Sequence, residues 1–184
     1  MALGSTVFVF DIDLSDADRQ VYERLSLRVA RHPSESDEFL VARVLAFCLE
    51  YQEGIEFSRG LCDADEPPIG VRNLTGALTD WIDVGTPSAE RLHRATKLAR
   101  RVVVYVHKGH RQWLQEIGRA RIHRAGEIAC IALDSGLIAA VVARLERRMS
   151  FPLTVAGGEL FIAFADATVS GPATRLAPAG PNID

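Results

Sequence analysis

Gly76-Ala77-Leu78-Thr79-Asp80-Trp81-Ile82-Asp83-Val84-Gly85, with the residues that follow as far as Val106, decides the fold. Residues 76–84 read as a strand. Ser88 then offers an N-cap hydroxyl, and Leu92, Ala95, Leu98, Ala99 and Val102 recur at helical spacing, which predicts a helix over 88–101. Residues 102–106 are an unbroken run of β-branched and aromatic side chains, the composition of a buried strand. Strand, helix and strand in succession place the chain in the α/β class. A period of two puts Thr79, Trp81, Asp83 and Gly85 on one strand face, and Leu78, Asp80, Ile82 and Val84 on the other. The second face is mostly apolar and is the expected core. Asp83 should therefore point toward whatever covers the opposite side, and Asp80 stands out as a charge on the core face.

Working outward toward the N-terminus, residues 5–14 and 24–31 alternate between apolar and polar, as half-buried strands paired in a long hairpin-like arm would. Pro33 closes the second strand, and Ser34 is placed to cap a central helix reaching about residue 52. A short strand over 54–58 and a loop over 60–70 follow. Beyond the deciding stretch come a short helix over 110–118, a strand over 127–133 and a helix over 137–148. Strands over 151–155 and 159–164 are joined through Gly157-Gly158, a strong hairpin signal. A last strand is placed near 167–170, and the Pro-, Ala- and Gly-rich segment 171–184 reads as a loose tail. The sum is one mixed-sheet domain over residues 1–184.

At 184 residues with 48% hydrophobic side chains, the chain can bury a real core. No apolar run approaches the ~20 residues of a membrane span, and the first residues lack the basic start of a secretory signal. Cys48, Cys62 and Cys130 are far apart and odd in number, which argues against a disulfide framework or a zinc site and for a reducing cytoplasm. The net charge is -3, but it is unevenly placed: residues 1–90 are strongly acidic, whereas residues 91–126 hold ten basic side chains against Glu116 alone. Only Lys97 and Lys108 are lysines. A catalytic ammonium would have to be one of these two.

Three acidic positions carry potential chemistry. Glu35 lies at the start of the first helix, Asp63, Asp65 and Glu66 lie in the loop, and Asp83 lies at a strand end. Carboxylates converging from these places suit a hard cation such as Mg²⁺, which in a phosphodiester hydrolase stabilises charge and generates hydroxide. Lys97, on the helix after Asp83, would stabilise the developing negative charge. The competing reading is structural: Glu35 complements a helix dipole, Asp83 pairs with Arg91 or Arg94, and Lys97 is an ordinary exposed position. Asp63-x-Asp65 does not continue as an EF-hand, since Pro68 and Leu74 occupy its glycine and glutamate positions. No Walker, GxGxxG or GxSxG element is present. Arg91, Arg94, Arg100, Arg101, Arg111, Arg119, Arg121 and Arg124 form the material for a phosphate-tracking surface, with Arg91, Arg94 and Arg101 as the nucleic-acid contacts expected first.

Ala30-Arg31-His32-Pro33-Ser34-Glu35, Phe57-Ser58-Arg59-Gly60-Leu61, Asp65-Glu66-Pro67, Trp81-Ile82-Asp83-Val84-Gly85 and Arg91-Leu92-His93-Arg94-Ala95-Thr96-Lys97 together resemble the bacterial YaeQ family over nearly the whole chain. The resemblance implies a variant of the PD-(D/E)XK, restriction-endonuclease-like fold: an αβββαβ core with extra N-terminal strands and a C-terminal β-hairpin. It implies Glu35 as the helix acid, Asp65 or Glu66 as the middle acid, and Asp83 as the start of the (D/E)xK element. The catalytic set is then Glu35, Asp65, Glu66, Asp83 and Lys97, with Glu35, Glu66 and Asp83 as the Mg²⁺ ligands. The sequence departs from the pattern at Gly85, where the lysine belongs, and Lys97 becomes its substitute. Two functions follow as expectations: a Mg²⁺-dependent phosphodiester hydrolase acting on nucleic acid, or a catalytically inert nuclease-like domain that binds or regulates.

Overall fold

In the computed structural model, residues 5–58 and 65–177 are described. They form a mixed α/β fold whose contacts divide the chain into two compact units. The first unit is residues 1–49 with 133–174, and the second is residues 50–132 with 175–184. Asp63 and Cys62 lie outside the described residues.

The first unit is built on β1 (Thr6–Asp16) and β2 (Val21–Arg31), an antiparallel arm in register from Thr6 opposite Arg31 to Asp16 opposite Val21. Phe8, Phe10, Ile12 and Leu14 of β1, and Leu25, Leu27 and Val29 of β2, are buried, the faces their alternation predicts. The arm is longer at its tip than the sequence suggests, because Asp16 is buried and accepts from the Arg19 amide and guanidinium. β8 (Arg148–Ala156) runs parallel to β1, and β9 (Glu159–Ala163) returns beside β8 through the Gly157-Gly158 turn. Asp18 ties that turn to the arm by accepting both glycine amides, at 2.7 and 2.8 Å. β10 (Thr168–Leu176) pairs with β9. It carries regular structure six residues into the segment expected as a loose tail. Gly171 makes this fit: a Cβ there would lie 2.7 Å from the Asp134 side chain.

Two helices belong to this unit. α1 (Asp37–Leu49) is buried along most of its length and packs against α4 (Ser135–Val142). The cap of α1 is Ser36, whose Oγ accepts from the Phe39 amide at 3.2 Å, rather than Ser34. Ser34 is engaged instead with the His32 ring. α4 is shorter than its apolar run suggests, ending at Val142, and Arg148, expected at the helix end, opens β8.

The second unit contains β3 (Ile55–Phe57), β4 (Ile69–Arg72), β5 (Leu78–Val84), β6 (Arg101–Val106) and β7 (Ala129–Leu133), ordered β7-β6-β5-β4-β3. The first three are antiparallel neighbours, whereas β5, β6 and β7 are parallel. β4 is absent from the sequence reading. It has only four residues, follows Pro67-Pro68 and contains Gly70, so it shows no period. A Cβ on Gly70 would come 2.9 Å from Leu78 Cδ1, so the strand packs closely against that side chain. α2 (Ala89–Leu98) crosses between β5 and β6, capped by Ser88 accepting from the Arg91 amide. It lays Leu92 and Ala95 against Trp81, Val102, Val104 and Val106, with Trp113 of α3 (His110–Arg119) in the same core. Burying each such aliphatic side chain is worth about 1.5–3 kcal/mol. Ile82 and Val84 are buried too, so β5 has core on both faces, and the face carrying Asp83 is covered by α2 rather than open.

Candidate functional site around Asp83 and Arg91

The strand alternation that buries Trp81 also buries Asp83, two residues on and on the same face. A carboxylate under a helix must find donors, and it finds two. Its Oδ2 accepts from Trp81 Nε1 at 3.0 Å and from Arg91 Nε at 2.7 Å. The Asp83 side chain is 4% exposed and that of Arg91 is 24% exposed. The Arg91 guanidinium also lies over the Trp81 ring, 5.1 Å from its centroid, and donates to the Glu66 carbonyl at 2.9 Å. One turn along, Arg94 reaches Asp65 at 3.1 Å and Glu90 at 3.3 Å. The two arginines of α2 therefore gather Asp83, Glu66 and Asp65 at one place, held through the Glu66 backbone and the exposed Asp65 carboxylate.

Lys97 does not join them. It is exposed on the last turn of α2, and its ammonium has no hydrogen bond or ion pair among the described residues. Six residues separate it from Arg91, which on a helix means about 9 Å along the axis and about 120° around it. Arg91, not Lys97, is the cation on Asp83. Gly85, at the lysine position of the (D/E)xK pattern, has φ of 89°. That is a left-handed conformation a lysine would adopt only under strain. The strand end is thus a turn by construction, with the Gly85 amide closing onto the Tyr105 carbonyl at 2.8 Å.

Glu35 belongs to the first unit. It lies in the turn before α1, closed by its own amide donating to the His32 carbonyl, and not on the helix itself. Its Oε2 accepts from the His32 amide and from Arg43, each at 3.1 Å, and Arg43 also donates to the Ala30 carbonyl at 2.7 Å. The side chains are only 7% and 2% exposed. Burial pushes the Glu35 carboxyl above the ordinary carboxylate value, against the pull of Arg43 and the His32 amide, and pushes the Arg43 guanidinium down. Among the described residues, no three His, Cys, Asp or Glu side chains are drawn together as metal ligands would be.

Arg101 is likewise committed. It holds Glu50 at 2.7 Å and lies 3.5 Å from Asp80, its register neighbour on β5. The Tyr105 hydroxyl donates to the same Glu50 at 2.8 Å. This network explains the charge at Asp80, and its central member, Glu50, was not legible because it reads as the end of a helix. Another unforeseen tie is Arg124, in a left-handed conformation, which donates to the carbonyls of Thr96, Ala99 (2.7 Å) and Arg100 (3.1 Å) and so caps the C-terminus of α2.

The family model for the YaeQ protein matches residues 1–171. The chain belongs to the YaeQ family. A YaeQ family relative from Escherichia coli K12, described as an uncharacterized protein, is 30% identical over 88% of this chain and 90% of its own length. The crystal structure of the YaeQ protein from Xanthomonas axonopodis pv. citri matches with a TM-score of 0.84 and 34% identity, over 96% of this chain and 99% of that one. The YaeQ protein from Pseudomonas syringae gives 0.83 and 27%, over 94% and 96%. No helix among the described residues is long and apolar enough to cross a membrane.

Proposed function

We propose that this YaeQ-family chain is a catalytically inert nuclease-like domain that works as a binding protein, with nucleic acid as its partner. The observation that carries the reading is the commitment of Asp83: Arg91 Nε and Trp81 Nε1 share one buried carboxylate oxygen. Mg²⁺ takes oxygen ligands, keeps several waters and tolerates little distortion. A guanidinium 2.7 Å from Asp83 places a fixed positive charge where the cation would approach. The residues as they stand do not fit the ion, and Arg91 neutralises Asp83 in its place. The hydrolase reading, in which Glu35, Glu66 and Asp83 hold Mg²⁺ and Lys97 assists, would require Arg91 to leave and Lys97 to cross the helix surface.

The element order supports a nuclease-like ancestry. α1, β3, β4, β5, α2 and β6 follow one another as αβββαβ, with β3 to β5 antiparallel and β6 parallel to β5. A cytoplasmic setting is supported by Cys48 and Cys130, both free and buried, with thiols that burial pushes up to about 12 and about 11. The test is incubation of pure protein with DNA and RNA in Mn²⁺, alongside Asp83→Asn. No cleavage is expected from either protein. Cleavage by the natural chain that disappears in Asp83→Asn would restore the hydrolase.

A further inference from the structure

The cations of residues 91–126 fall into two classes. Arg91, Arg94 and Arg101, the contacts expected first for nucleic acid, are each held by a carboxylate. Arg124 is held by Glu127 and by the α2 carbonyls. Lys97, Arg100, Lys108, Arg111, Arg119 and Arg121 are exposed, and their side chains have no ion pair among the described residues. Lys97, Arg100, Arg119 and Arg121 flank the place where the segment after α3 meets the end of α2. The His123 amide donates to His93 Nδ1 at 3.2 Å, and Arg124 spans the carbonyls of Thr96, Ala99 and Arg100. The segment after α3 is therefore pinned along the last turn of α2. Arg119 and Arg121 stand five and three residues from Arg124, so their backbones lie within about 18 and about 11 Å of it. Of the nearby acids, Glu127 is paired with Arg124, and Glu116 accepts from the neutral Gln112 amide.

We propose that this surface, made of Lys97, Arg100, Arg119 and Arg121, is the docking site for a nucleic-acid duplex, read through its phosphates. The proposal rests on the binding-protein reading and moves the contact off the Asp83 cluster. Three of the four cations are guanidiniums, whose planar forks match phosphate oxygens. The large apolar side chains exposed among the described residues include only two aromatics, Tyr22 and Phe161, both in the first unit. The surface therefore carries no exposed Phe, Tyr or Trp, the stacking platform that single-strand binders use. Backbone contacts alone position a duplex without reading its sequence.

The experiment is fluorescence anisotropy with the full chain, using labelled duplex DNA, duplex RNA and single strands, from low to moderate salt. If all four cations meet phosphates, log K should fall with log salt at a slope of about -3.6, a loss of roughly a hundredfold between 50 and 200 mM. Arg121→Gln should flatten the slope by about 0.9. Arg28→Gln, an exposed arginine of β2, should leave it unchanged. The four-site glutamine variant should lose salt-dependent binding while keeping the natural melting curve, because none of these side chains bonds to the fold. A slope that Arg121→Gln leaves intact would overturn the proposal, as would tighter binding of single strands, equal binding of polyglutamate, or no duplex binding at low salt. Mn²⁺-dependent cleavage with the slope behaving as described would sink the inert reading alone and leave the surface standing.

Discussion

Glu35 and Asp83 are each a carboxylate held by an arginine, yet the two pairs are built differently. In the first unit both partners are sealed, at 7% and 2% exposure, and Glu35 Oε1 is buried with no hydrogen-bond partner. In the second, Asp83 is as buried but shares its oxygen between an indole and a guanidinium, and that guanidinium reaches the surface and the Glu66 carbonyl. The first pair stores cost: two charges leave water, and one oxygen gains nothing in return. The second is balanced by donors and retains one exposed end. A buried pair of the first kind holds a fold together mainly by punishing its own disruption, whereas one of the second kind can be edited without collapse.

The largest expected effect follows from breaking the first pair. Glu35→Gln strands Arg43 as a buried charge, and Arg43→Met strands Glu35. Each should cost about 3–5 kcal/mol in urea unfolding. The double variant Glu35→Gln/Arg43→Met should cost far less than the two losses added, because neither charge is then left alone. Additive losses would show that the two side chains do not depend on each other.

Arg91→Gln should come next, at about 1.5–3 kcal/mol, the usual range for a hydrogen bond to a charged group. Here a second readout matters more than stability. With the guanidinium gone, the buried Asp83 carboxylate is left without its counter-charge, and calorimetry should detect Mn²⁺ binding that the natural chain lacks. Arg91→Gln/Asp83→Asn should lose it again. Mn²⁺ binding by the natural chain equal to that of Arg91→Gln would mean that Arg91 does not stand in the cation's place.

A smaller effect distinguishes the pairs by pH. Burial raises Glu35, so the folded chain keeps its proton to higher pH than the unfolded chain does. The stability Glu35 contributes is therefore full below the ordinary carboxylate range and is lost as pH rises through the raised value. Asp18 and Asp166 are lowered by hydrogen bonds from the Gly158 and Gly157 amides and from Arg144, and act in the opposite sense: their contribution is lost as pH falls through their lowered values. Taking the difference between the natural chain and Glu35→Gln removes these common parts. Urea midpoints from about pH 4 to about pH 7 should show the natural chain losing ground to the variant as pH rises. A difference independent of pH would mean that Glu35 is not raised.

The parts legible in the sequence were those with a period. The arm of β1 and β2, the α2 stripe and the Gly157-Gly158 hairpin all follow from alternation, helical spacing and turn chemistry. β4 was hidden because four residues with a glycine have no period. The cap at Ser36 was hidden because Ser34 competes for the same role three residues after Arg31. At the site, the pairing of Asp83 with Arg91 was open in the sequence, as one of two arginines a turn apart. The competing assignment to Lys97 could not be settled there, because residues six apart on a helix share a sequence neighbourhood but not a face. Glu50 was invisible for a different reason: its partners, Arg101 and Tyr105, lie more than fifty residues away, and only the sheet brings them to it.

The smallest expected effect concerns Lys97, and it completes the contrast with Arg91. Both are cations of α2, but one has a buried carboxylate, an aromatic ring and a carbonyl, while the other has water. Lys97→Ala should change stability by less than about 0.5 kcal/mol, since it removes an exposed side chain from a helix and leaves a better helix former behind. The same substitution should flatten the salt slope of duplex binding by about 0.9, because it removes one phosphate contact. The pairing of the two readouts is the point. A loss of stability above 1 kcal/mol would give Lys97 a structural partner, and an unchanged slope would take it off the docking surface. Little change in melting with a flatter slope is what an unpaired cation on a binding surface must give.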